Sequence, residues 1–88
     1  MQIIIDPHTL LRANERGASE EEIKDVLLTG ISSIAKKNRS SKWKAFPFNA
    51  ERNGKFYEEK KIEVIFIYET GNIITVTVYV YYGKWTEL

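Results

Sequence analysis

Cysteine is absent from the 88-residue chain. That removes disulfides, thiol nucleophiles and every cysteine-based metal site. A small secreted domain ordinarily relies on such bridges, so this chain is expected to stand on its core or on a partner, in the cytoplasm. Histidine occurs once. One histidine without cysteine makes no zinc site, and no serine motif accompanies it to suggest a hydrolytic triad. No glycine-rich phosphate loop occurs. Glu20-Glu21-Glu22 reads as a helix start rather than a calcium loop. No metal or cofactor is therefore expected. Long apolar runs are missing too: nothing approaches the roughly 20 residues of a membrane span. The start, Met1 to Asp6, lacks a basic segment and has an apolar run of only three residues, so neither a signal peptide nor a membrane role is expected.

What remains is an ordinary globular composition, 43% apolar and 28% charged. It fits a single domain over residues 1–88. The net charge of +1 hides an uneven distribution. Residues 1–35 carry three basic and six acidic groups, and residues 62–88 carry one basic and three acidic. Residues 36–61 carry nine basic and three acidic groups, so the middle third is the one candidate polyanion surface.

Ile3–Ile5 reads as a short strand stopped by Asp6-Pro7. That pair starts a helix over 7–16, with Asp6 as N-cap and Pro7 where its missing N–H costs nothing. Gly17 suits the left-handed residue that closes it. Ser19 and Glu22 form a capping box for a second helix, which Gly30 ends. Ile23, Val26 and Leu27 supply its core stripe. After Gly30 the pattern turns to strand. Lys36–Ser41 reads as a loop or exposed strand, and 42–46 as a half-buried strand that Pro47 ends or confines to an edge. Asn53-Gly54 is a turn. Lys61–Tyr68 and Ile73–Tyr82 form an antiparallel hairpin, the first of them a central strand. On the last strand Ile74, Val76, Val78 and Val80 are expected to face the core, and Thr75, Thr77, Tyr79 and Tyr81 the other side. The expected fold is α+β, in the order β-α-α-β-β-β. Two helices pack on one face of a twisted antiparallel sheet, leaving the other face open unless a partner or the C-terminal tail covers it.

Three groups of residues could carry chemistry. His8, Arg12 and Arg16, at i, i+4 and i+8, form one helical stripe. It offers an acid–base group beside two phosphate clamps; a solvated face pairing with Glu15 and the acidic second helix is the plainer reading. Lys36, Lys37, Arg39, Lys42 and Lys44 enclose Trp43, with Arg52, Lys55, Lys60 and Lys61 nearby. The pattern suits a nucleic-acid track or a lysine-guarded edge strand. Tyr79, Tyr81, Tyr82, Lys84 and Trp85 suit an interface or a site, or serve as good strand formers.

The segment His8-Thr9-Leu10-Leu11-Arg12-Ala13-Asn14-Glu15-Arg16-Gly17-Ala18-Ser19, continuing to Glu22 and Ile23, resembles the opening of a small prokaryotic family, the domain of unknown function 4258. That family's pattern is roughly His-Ala-x-x-Arg-Met-x-x-Arg-Gly-Ile-Ser-x-x-Glu-Ile. Thr9, Ala13 and Ala18 depart from it without removing a polar group. The ending, from Glu63 through Ile74-Thr75-Val76 and Tyr79 to Tyr82-Gly83-Lys84-Trp85, is similar to the family's closing hairpin, whereas residues 31–55 match least.

The family is similar to the RelE/BrnT-like toxin superfamily. The resemblance implies the toxin of a toxin–antitoxin pair: a metal-independent endoribonuclease, often ribosome-bound, that uses the ribose 2′-hydroxyl as nucleophile. It implies RNA and a small antitoxin encoded nearby as partners, and a homodimer through the open sheet face is a further candidate. By position, His8, Arg12, Arg16 and Thr75 match the family's polar positions. In this reading His8 is the acid or base, Arg12 and Arg16 clamp the phosphate, and Thr75 or Tyr79 orients substrate. Lys42, Trp43 and Lys44, with Lys61 and Lys84, hold flanking RNA. The alternative is a non-enzymatic module that binds protein or RNA through the open face.

Overall fold

Asp6 and Pro7 start the first helix as their chemistry dictates. The Asp6 carboxylate accepts from the backbone N–H of His8, and Pro7 is the first residue of helix α1, Pro7–Arg16. Gly17 closes it at φ 96°, a conformation only glycine adopts without cost. The turn into helix α2, Glu20–Thr29, is fixed by the capping box. Ser19 Oγ accepts from the Glu22 N–H at 3.1 Å, and Glu22 accepts from the Ser19 N–H at 2.9 Å.

The computed structural model describes residues 1–86. Around the helices run strands β1 (Ile3–Ile4), β2 (Ile31–Ser33), β3 (Ser40–Arg52), β4 (Lys55–Glu69) and β5 (Asn72–Gly83). They make one sheet in the order β1-β5-β4-β3-β2. The α+β class and the two-helix layer are as expected, and β4 is the central strand. Three features differ. β2 is an additional short strand, so the order is β-α-α-β-β-β-β. The sheet is mixed, because β1 runs parallel to β5; two residues of β1 carry no pattern that could announce their direction. β3 continues through Pro47 to Arg52. β2 covers only Ser41–Trp43 of its outer edge, so Pro47 lies on open edge, where a missing N–H is tolerated.

Both hairpin loops hold two residues with positive φ, Asn53-Gly54 and Thr70-Gly71, the geometry that matches strand twist. The core lies between the helices and one sheet face. It joins Ala13, Ala18, Ile23, Val26 and Leu27 to Ile62, Val64, Phe66, Ile73 and Val78.

The face assignment of β5 needs correction. Ile65 pairs with Thr77 but Phe66 pairs with Thr75, so Val76 is an extra residue. Such a bulge exchanges the two faces of a strand. Ile73 and Thr75 therefore face the helices before it, and Val78 after it. Ile74, expected in the core, lies on the other side of the strand from Ile73.

The bonds that lock helices to sheet use many of the central cations. Arg52, Tyr82 and Lys60 donate to the last carbonyls of α1 and its cap, those of Glu15, Arg16 and Gly17, at 3.1, 2.7 and 2.8 Å. Lys60 also pairs with Glu22 at 3.0 Å. Helix C-termini carry partial negative charge, so cations there are stabilising. No helix among the described residues is long and apolar enough to cross a membrane.

Candidate nucleic-acid interface

Strand periodicity divides the basic run. Lys42 and Lys44 pair in register with Val64 and Ile62 on the helix side. There Lys42 donates to the Leu27 carbonyl at 3.0 Å, and Lys44 bonds Asp25 at 2.9 Å and Thr29 at 3.0 Å. The Lys44 ammonium, followed by the Thr29 hydroxyl, holds the Asp25 carboxyl below its ordinary value. Trp43 points to the opposite, open face. The expected track Lys42-Trp43-Lys44 is thus two separate features, because successive strand residues face opposite ways. Both lysines anchor α2.

On the open face Trp43 faces Lys61. The Lys61 ammonium stands 5.0 Å from the Trp43 ring, 5.4 Å from Tyr81 and 5.6 Å from Trp85, within cation–π range of all three. Trp85 is tethered by Glu59, which accepts from the backbone N–H groups of Trp85 and Thr86. The Thr86 hydroxyl, then these two N–H groups, lower the Glu59 pKa. Lys84 is exposed and pairs with Glu58 at 3.0 Å.

The helical stripe reaches the same face at one end. Arg16 donates to the Val78 carbonyl at 2.6 Å, on the edge of β5 that β1 leaves uncovered. Its guanidinium lies 5.3 Å from the centre of the Tyr79 ring. Arg12 pairs with Glu15 at 2.8 Å on the helix surface, as the plainer reading expected. His8 is exposed in the first turn, and it is its backbone N–H that bonds Asp6.

Thr75 requires a second correction. It is 2% exposed, and its hydroxyl donates to Thr9 at 3.0 Å and accepts from the Asp6 N–H at 3.0 Å. It ties β5 to the start of α1 and presents no surface to a substrate. Tyr79, by contrast, is 41% exposed.

The loop between β2 and β3 completes the site. Lys36, Lys37 and Arg39 line a cleft of about 380 Å³ with Ala35, over a floor of Ile65 and Tyr79. A second cleft of about 330 Å³ lies between Ile31, Trp43, Ala45 and Trp85. Between them is Glu63, whose register partners are Trp43 and Tyr79. Ser41 donates to Glu63 at 2.8 Å, and Ser33 donates to Ser41 at 2.8 Å. Burial first, then the Glu63 charge, pushes the Tyr81 phenol above its ordinary value. The loop cations are visible in the sequence, but their placement over Tyr79 is not: some 40 residues separate them, and no local signal spans that distance.

The arrangement offers aromatic platforms, a cationic wall and a guanidinium at one edge, the ingredients of single-stranded nucleic-acid binding. Among the described residues no cluster of three His, Asp or Glu side chains is placed to hold a metal ion. Comparison with family models, curated proteins and solved structures finds no match for this chain.

Proposed function

We propose that the protein binds single-stranded RNA across the open sheet face and cleaves it, as the toxin of a toxin–antitoxin pair. The observation that carries this reading is the cleft in which Lys36, Lys37 and Arg39 face Tyr79, with Arg16 lying against the same ring. A base stacks on Tyr79, worth about 1–3 kcal/mol, while the loop neutralises flanking phosphates. The resemblance in the His8–Ile23 segment supports the catalytic half of the proposal.

The reaction is an internal phosphoryl transfer. The ribose 2′-oxygen attacks the adjacent phosphorus, and the bond from phosphorus to the 5′-oxygen breaks. The products are a 2′,3′-cyclic phosphate and a 5′-hydroxyl. The 2′-hydroxyl proton passes to a base, and the departing 5′-oxygen takes up a proton. His8 supplies the acid–base group. Arg12 follows one helical turn later, about 6 Å along the axis, within reach of the same phosphate. It leaves Glu15 at little cost, since an exposed pair is worth about 0–1 kcal/mol. Arg16 stands about 12 Å along the axis from His8 and holds the neighbouring phosphate with the donors that Val78 leaves free.

The test is induction of the protein in bacteria without its partner, with mapping of RNA 5′ ends. The wild type is expected to arrest growth and create new 5′-hydroxyl ends. His8→Ala and Arg12→Ala are each expected to reduce cleavage about 100-fold or more, with the fold intact. Cleavage that survives both substitutions contradicts the catalytic stripe. Soluble folded wild type that produces no new ends contradicts the nuclease reading.

One observation supports a protein partner as well. Ile31, Tyr79 and Tyr81 are substantially exposed, an apolar surface that the small antitoxin would cover together with the RNA site.

A further inference from the structure

Glu63 is out of keeping with a face that binds phosphate. It sits among Lys61, Trp43, Tyr79 and Tyr81, where a carboxylate repels the RNA backbone. Yet its position is built. Ser41, itself 2% exposed, donates to one carboxylate oxygen, and Ser33 donates to Ser41 in turn. Two hydroxyls in series hold Glu63 as an acceptor and lean it towards Ser41, the register partner of Ile65. Ile65 and Tyr79 are the floor of the cationic cleft, so the carboxylate borders the place where a base would stack. An ionised carboxylate has about four acceptor positions, of which Ser41 fills one.

We infer that Glu63 selects guanine, accepting from its N1–H and N2–H groups while the base stacks on Tyr79 in the cleft beside Lys36, Lys37 and Arg39. Guanine alone among the four bases presents two adjacent donors on its pairing edge. Adenine and cytosine each place an acceptor beside their amino group, and uracil flanks its single N–H with two acceptors. Each of these brings a lone pair against the carboxylate. The charge costs affinity for RNA in general and confers preference for one base, which accounts for an acidic group on a cationic surface. This inference rests on the RNA-binding reading above and names the base that reading leaves open.

The test uses 2′-O-methyl RNA hexamers, which cannot be cleaved by 2′-hydroxyl attack, with tryptophan fluorescence of the full chain as the readout. The probes are a uridine hexamer and hexamers carrying a single guanosine, inosine or adenosine. The wild type is expected to bind the guanosine hexamer roughly 5- to 150-fold more tightly than the uridine one, the range of a two-bond base contact. Inosine, which keeps N1–H and lacks the N2 amino group, falls between. Glu63→Gln is expected to melt like the wild type, to bind the uridine hexamer at least as well, and to lose the guanosine preference. Equal wild-type affinity for all four hexamers, or a preference that survives Glu63→Gln, overturns the inference and leaves RNA binding standing. Failure of the wild type to bind any hexamer overturns both.

Discussion

Replacing Phe66 with alanine is expected to lower the stability of the fold by about 3–5 kcal/mol. Phe66 is 1% exposed in the C-terminal third of β4, the central strand of the sheet. It is among the largest fully buried side chains and packs in the one core with Ile23, Leu27, Ile62 and Val78. Its removal loses the transfer free energy of a ring and leaves a cavity that strands on both sides keep from collapsing. A domain of this length is typically stable by about 4–13 kcal/mol, so the loss is a large part of the total. Thermal unfolding checks it. The midpoint is expected to fall by at least about 12 °C, while Phe56→Ala, at an exposed position of the same strand, leaves it nearly unchanged. The neighbouring strand gives a sharper comparison. With Val76 as the bulged residue, Ile73 faces the core, and Ile73→Ala is expected to destabilise more than Ile74→Ala. The reverse order would mean that the faces of β5 are not exchanged.

The second large effect is on binding. Removing Lys36, Lys37 and Arg39 together is expected to weaken RNA affinity about 100-fold, at about 1 kcal/mol for each exposed cation. It is also expected to reduce the slope of log affinity against log salt by about 2, since each phosphate contact on a single strand contributes about 0.7. All three residues are exposed in the loop between β2 and β3, so the melting temperature should stay within a degree or two. Lys42 and Lys44 make the opposite control. Both are tied to α2, so their removal should cost stability and leave the salt slope as it was. A salt titration of anisotropy for the three proteins separates these roles. An unchanged slope in the loop variant would remove the loop from the interface.

The helices were legible because their signals are local. Asp6-Pro7, Gly17 and the Ser19–Glu22 box act within four residues of themselves, and the structure puts each where its chemistry requires. The central position of β4 was legible for a similar reason, since both of its faces are apolar at the middle. β5 misled because Ile74, Val76, Val78 and Val80 form an unbroken alternation. A bulge inserts one residue and leaves no compositional mark when that residue is valine. Thr75 consequently changes from an expected surface group to a buried tie between β5 and α1. The basic run misled in a different way. Lys42, Trp43 and Lys44 are contiguous in sequence, but a strand sends them to opposite faces, and the two lysines serve the C-terminal end of a helix. The cleft over Tyr79 and the Ser33–Ser41–Glu63 chain depend on contacts between distant strands, which no local pattern in the sequence reports.

The proposed path of RNA runs over the open face, between the loop and the aromatic rows. Photo-cross-linking of the full-length protein to an uncleavable 2′-O-methyl RNA bearing 4-thiouridine, followed by peptide mapping, tests it most directly. Cross-links are expected at Tyr79, at Trp43 or Trp85, and in the peptide spanning residues 34–39. Cross-links confined to the outer surface of α2, around Lys24 and Leu28, or none above the background of a non-binding protein, would contradict it.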